Sequence, residues 1–211
     1  MISHKYKFIF TKIGKTGSTS VESFLKKIDP TFENGGHWHL LDEVNEKTKN
    51  YFKFCFVRNP WDRMVSRYFY EKNKIEDRTK HYKNTTFKEF IINKNNYFKL
   101  DANWCRYSPN LKKLYDLKSP FEEQVEWVSD ENGKIMVDYF GKFENLNEEI
   151  INICKILKLP ISDEEIKNTF PHINKGEHRK SNYKLYYDDH TKKILSERFK
   201  KDIKTFQYCF E

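Results

Sequence analysis

The chain has four cysteines but no CxxC pair, and no Cys/His spacing that would hold zinc. Cys55 lies in an apolar strand-like run and Cys154 on a helical stripe, so both read as buried reduced thiols, which suits a reducing compartment. Long apolar runs are missing too. No stretch approaches the ~20 residues of a membrane span. Met1 to Tyr6 is polar, and the apolar run after it is too short for a secretory leader. There is no repeat at a fixed period and no low-complexity linker, so residues 1–211 read as one domain.

What the chain does have is positive charge and aromatic surface. The formal net charge is +8 over 211 residues, and 18 Phe with 13 Tyr argue against disorder. A basic chain suits a polyanionic ligand, such as a nucleotide, an acidic glycan, a nucleic acid or a membrane.

Two short apolar runs predict strands, Tyr6–Phe10 and Phe52–Val57, with helical patterns between and after them. That order is the βαβ pattern of a parallel sheet. Val21, Phe24, Leu25 and Ile28 make the stripe of a first helix, and Leu40 to Lys49 a second. Pro60 opens a third, with Trp61, Met64, Val65, Tyr68 and Phe69 on its apolar face. Residues 73–84 read as a loop, 87–92 as a helix, and 125–128 with 134–137 as a hairpin around Asp130-Glu131-Asn132-Gly133. Asp138 to Phe143 predicts a further strand. Leu146 to Leu157 and Asp163 to Thr169 predict helices, and Tyr183 to Phe206 one long terminal helix.

Between the first strand and first helix lies Lys12-Ile13-Gly14-Lys15-Thr16-Gly17-Ser18-Thr19-Ser20. A Gly/Ser/Thr loop with a lysine, opening a helix, is an anion cradle, because loop and first-turn N–H groups and the helix dipole all favour negative charge. A nucleotide-triphosphate loop of the form G-x-x-x-x-G-K-[ST] would need glycine at position 9, where Ile9 stands. No apolar strand ends in an aspartate that would hold magnesium for phosphoryl transfer. A second basic motif, Arg58-Asn59-Pro60-Trp61-Asp62-Arg63 followed by Ser66, sits at the next strand–helix junction. An arginine on the strand tip and a serine two turns into the helix can converge on one phosphate.

Together the two motifs resemble those of sulfotransferases that use 3′-phosphoadenosine-5′-phosphosulfate (PAPS), closest to the carbohydrate and heparan sulfate 2-O-sulfotransferase branch. That family's first loop reads approximately His-Ile-Pro-Lys-Thr-Gly-Gly-Thr-Ser. Here Lys12, Gly14 and Ser18 replace the histidine, the proline and the second glycine. The Arg-Asn-Pro-Trp-Asp-Arg motif and its serine match without a gap. Residues 139–146 and 183–210 resemble the family's later strand–helix junction and its C-terminal segment, while the match is weakest over residues 73–119. The resemblance implies an α/β fold, a P-loop-NTPase-like three-layer sandwich with a central parallel sheet flanked by helices. It implies sulfuryl transfer from PAPS to a hydroxyl acceptor, a glycan first, with a lipid, small alcohol or phenol as alternatives and no metal. A basic single-stranded nucleic-acid binder is the alternative of a different class.

The resemblance assigns roles residue by residue. Lys15 sits on the leaving-group side, and Thr16, Gly17, Ser18, Thr19 and Ser20 bind the 5′-phosphosulfate. Arg58 and Ser66 take the 3′-phosphate, and Arg179 and Lys180 are further candidate contacts. A His-x-His after the first loop, His37 and His39 here, also occurs in the 2-O branch, and histidine suits a general base at neutral pH. His39 is the first choice and His37 the second. Gln124 matches a position near the acceptor region. Trp104, Tyr107 and Trp127 read as core aromatics before they read as sugar platforms. Family members of the secretory pathway usually carry an anchor. The expectation here is a cytoplasmic, bacterial or viral-type form, or else a trimmed lumenal domain.

Overall fold

The computed structural model describes residues 1–33, 40–73, 84–92, 123–171 and 182–211. Among them one sheet runs in the order β1 (Ile2–Ser3), β2 (Phe8–Thr11), β3 (Phe52–Val57), β4 (Tyr139–Lys142). The last three are mutually parallel, and β1 adds an antiparallel edge. The helices are α1 (Ser18–Ile28), α2 (Leu40–Glu43), α3 (Pro60–Asn73), α4 (Phe87–Ile92), α5 (Leu146–Ile156), α6 (Asp163–Thr169), α7 (Asp189–Arg198) and α8 (Lys200–Phe206). Each parallel strand runs into a helix just beyond its carboxyl end, and all three junctions lie on that side of the sheet, where open α/β sheets bind ligands.

Strand alternation divides the core. Phe8, Phe10, Phe54 and Phe56 face one side and pack with Val21, Phe24 and Leu25 of α1, Ile150 and Ile153 of α5, and Ile166 of α6. Phe10 and Phe54 stack with ring centroids 5.1 Å apart. On β4, Gly141 lies opposite Phe56, and a Cβ there would come within 2.6 Å of the Phe56 ring, so the missing side chain is what lets the ring lie flat. Cys55 and Val57 face the other side, against Val125, Trp127, Val128 and Phe206. Burial raises the thiol pKa of both Cys55 and Cys154, in keeping with inert core positions. The sheet is therefore covered on both faces, the layered α/β architecture expected from the sequence. A third cluster joins α3 to α4, α7 and Phe199.

Three expectations are corrected. The second helix covers only Leu40–Glu43, because Asn45 turns the chain, its side chain accepting from Lys47 and Thr48 N–H while Thr48 donates to the Glu43 carbonyl. The hairpin keeps its turn, with Gly133 at φ +80 and a bridge between Ser129 and Ile135, but Val125–Val128 is a 3₁₀ turn instead of a strand. The terminal helix is split into a 3₁₀ turn at Tyr183–Tyr186, α7 and α8, because Asp188 forms a capping box with Thr191 and starts a new helix. The predicted loop at 73–84 falls almost wholly outside the described residues.

Candidate active site

The first motif folds as a tight loop. Ile13 is buried beneath it, and Thr16 donates its hydroxyl to the Ile13 carbonyl at 2.8 Å. Lys15 has φ +68 and Gly17 φ +78, two left-handed residues two positions apart. Such a conformation costs a non-glycine residue on the order of 1 kcal/mol, and strain of this kind clusters at functional sites. Gly17 must be glycine for a second reason: a Cβ would meet Leu146 at 2.8 Å and Phe143 at 3.1 Å.

Gly17 is the N-cap of α1, with no side-chain cap bond and no acidic residue in the first turn. Within the helix itself, the positive end of these eleven residues therefore carries no carboxylate of its own. Ser18 and Ser20 are buried, and Thr19 is exposed. Lys12, the substitute for the family's histidine, is buried and ion-paired with Glu22, which also binds Lys26 at 2.7 Å. Burial opposes ionisation of Glu22, but the two lysines outweigh it and hold its carboxyl below the usual range.

The second motif folds in the opposite sense. Asn59 caps α3, its side-chain oxygen accepting from Trp61 N–H at 3.1 Å and Asp62 N–H at 3.2 Å. Pro60 takes the first helical position, where no N–H is needed. Asp62 puts a carboxylate in the first turn and binds Arg58 through Nε at 2.8 Å and Nη2 at 2.7 Å. Arg58 is only 6% exposed, and burial pulls its guanidinium down to about 10, still protonated at neutral pH.

Cross-links join the two motifs. Arg58 donates through Nη1 to the Lys15 carbonyl at 3.2 Å, and Arg63 through Nε to the Gly14 carbonyl at 3.0 Å. The Lys15 ammonium lies 3.9 Å from the centre of the Tyr70 ring. Arg63, Ser66 and Tyr70 fall at i, i+3 and i+7 along α3, so all three share one helix face. Because Arg63 and Tyr70 both touch the first loop, half-buried Ser66 is held on the face that fronts it.

The third junction braces both. The Phe143 ring stacks on the Arg58 guanidinium at 4.1 Å and also lies against Gly17. Glu144 accepts from Asn59 N–H at 2.7 Å and from the Tyr208 hydroxyl at 3.0 Å. Asn59 donates its amide to the Tyr183 hydroxyl and the Cys209 carbonyl, which docks the C-terminal segment onto the second motif.

The structure thus brings Lys15 to Ser20, Arg58 and Ser66 to one place. His37, His39, Arg179, Lys180, Trp104 and Tyr107 lie outside the described residues. Trp127 is buried in the core, as its aromatic character suggested. Gln124 is fully buried, so it is not a side chain that an acceptor touches. Tyr70 escaped notice in the sequence, and Arg63 and Phe143 stood inside matched stretches without a role, although the 63/66/70 helical spacing was available there to pick out the first two. Among the described residues no group of three or more His, Cys, Asp or Glu is placed to hold a metal ion, and no helix is long and apolar enough to cross a membrane.

Comparison with known proteins shows the family. The chain is 32% identical over 124 residues to an uncharacterized protein of Archaeoglobus fulgidus, covering 58% of this chain and 82% of the relative. No solved structure matches it. Residues 1–209 match the family model described as the sulfotransferase family, and with nearly the whole chain covered, this protein belongs to that family.

Proposed function

We propose that this sulfotransferase takes its sulfuryl group from PAPS and delivers it to a hydroxyl acceptor, a carbohydrate in the first instance, as in the branch its motifs resemble. The observation that carries the donor reading is the uncapped, acid-free N-terminus of α1 beside Lys15. A helix start with no side-chain cap and no carboxylate in its own first turn suits a phosphate, whereas the N–H groups of α3 are already taken by Asn59.

Bound there, the donor supplies the sulfuryl group together with a phosphate leaving group. The chain's own residues bind, orient and neutralise. Main-chain N–H groups and hydroxyls of Thr16 to Ser20 hold the 5′ end. Lys15 moves its ammonium from the Tyr70 ring to the oxygen where negative charge develops when the donor binds, and electrostatic stabilisation there supplies most of the acceleration. Arg58 has an N–H left on each terminal nitrogen, and these join Ser66 on the 3′-phosphate, in the planar fork that a lysine could not reproduce. His39, with His37 beside it, accepts the acceptor's hydroxyl proton. Arg179 and Lys180 add positive charge around the nucleotide.

The test is transfer from radiolabelled PAPS to a panel of glycans, lipids and phenols, with binding of 3′-phosphoadenosine 5′-phosphate (PAP) followed by calorimetry. Lys15→Ala is expected to lower turnover by about 10²–10³ and His39→Ala by about 10²–10⁴, with PAP binding still detectable in both. A wild-type chain that does not bind PAP would end the donor reading. Near-normal turnover in His39→Ala would remove that residue as the base.

A further inference from the structure

The main chain of Arg58 is gripped by a side chain from elsewhere in the sequence. Gln124 accepts from Arg58 N–H through Oε1 at 2.8 Å and donates through Nε2 to the Arg58 carbonyl, also at 2.8 Å. The amide behaves like one residue of a neighbouring strand, attached at the point where β3 ends at Val57. Only one orientation of the amide satisfies both bonds, and Asp202 on α8 enforces it. The Asp202 carboxylate accepts from Gln124 Nε2 at 3.1 Å and from the main-chain N–H groups of Gln124 and Val125 at 2.8 Å each. Both side chains are fully buried.

The series then continues outward. Arg58 passes to the Lys15 carbonyl through Nη1, and Lys15 carries the left-handed backbone of the first loop. Every link from Asp202 to Lys15 is a hydrogen bond made by a buried or half-buried residue, where a missing partner leaves a polar group stranded.

We infer that Gln124 and Asp202 are positioning residues for the transfer site: they set the main chain of Arg58, and through it the conformation of the Lys15 loop. Neither touches substrate. The nucleotide arm of the test rests on the donor reading above; the loop arm does not.

Hydrogen exchange of the ligand-free chain reads the loop directly. In Gln124→Glu a carboxylate oxygen replaces the donor that faces both the Arg58 carbonyl and the Asp202 carboxylate. Exchange is expected to rise roughly tenfold over residues 12–21, where Ser20 and Val21 N–H bond to the Gly17 carbonyl, and to stay unchanged over α5 and α6. PAP affinity is expected to fall by a similar factor. Adding Asp202→Asn to Gln124→Glu removes the carboxylate–carboxylate repulsion and is expected to recover part of both losses. Gln124→Met, which removes the bonds without adding charge, serves if Gln124→Glu fails to fold. Unchanged exchange over residues 12–21, an equal rise over all helices, or no recovery in the double variant would each overturn the inference. A wild type that does not bind PAP would sink the donor reading and still leave the exchange pattern to decide on Gln124.

Discussion

The two strand–helix junctions look alike in the sequence and are built on opposite electrical plans. At the first, α1 opens on a bare glycine, has no acidic residue in its first turn and follows a lysine held at positive φ. At the second, α3 opens on an asparagine cap, carries Asp62 in its first turn and has its arginine already ion-paired. The first offers its N–H groups no side-chain cap and no carboxylate in its first turn. The second satisfies its own and turns its basic residues toward the first loop. A basic motif is thus no guide to where an anion sits until the caps and carboxylates around it have been counted.

The difference can be broken from either side. The largest effect is expected for Asp62→Ala, which leaves the buried Arg58 guanidinium without its partner. Removing one member of such a pair costs about 3–5 kcal/mol, and urea unfolding should show it, with transfer lost alongside.

Next comes the pH response of the support behind the second junction. Burial pushes the Asp202 carboxyl up to about 6, against the pull of Arg63 and of the Gln124 and Val125 N–H donors. A folded value above the usual carboxylate range means that the folded chain holds an extra proton between about pH 4 and 6. The stability contributed by this group therefore falls as pH rises through that window, by on the order of 3 kcal/mol in full. The difference in unfolding free energy between wild type and Asp202→Asn should drop by about that much from pH 4 to 6. A flat difference would show that Asp202 titrates as an ordinary carboxylate.

Thr19→Asp sharpens the contrast, since it gives α1 the acidic first turn that α3 already has. Thr19 is exposed, so the change creates no cavity. The new carboxylate should stabilise the free chain by about 0.3–1 kcal/mol through the helix dipole while weakening PAP binding roughly tenfold. Opposite signs in melting temperature and affinity are the signature to look for. The smallest effect on PAP affinity is expected for Asn59→Ala. It removes the cap of α3 and should cost about 1–2 kcal/mol in thermal unfolding, with a smaller change in PAP affinity than Thr19→Asp produces.

Much of this was legible because it is local. Alternating phenylalanines marked β2 and β3, Pro60 marked the start of α3, and the 3.6-residue stripe marked α1 and α5. Other elements were set by partners far away in sequence. Val125–Val128 reads as strand by composition, but Asp202 takes the Gln124 and Val125 N–H groups that a strand would have offered a neighbour. The terminal helix reads as continuous because its apolar spacing never breaks, yet Asp188 diverts the backbone into a new cap. Gln124 matched a position near the acceptor region, and such a match says nothing about burial.

By itself the sequence determined the order of strands and helices and the positions of the two basic strand–helix loops, since these depend on spacing and on the chemistry of single residues. Only the tertiary structure decided which helix start lacks a side-chain cap and an acidic first turn, and which has its cap and a carboxylate paired with its arginine. That choice rests on contacts between residues more than forty positions apart, Lys15 with Arg58 and Arg58 with Gln124, and such contacts exist only once the sheet has brought its three junctions to one edge.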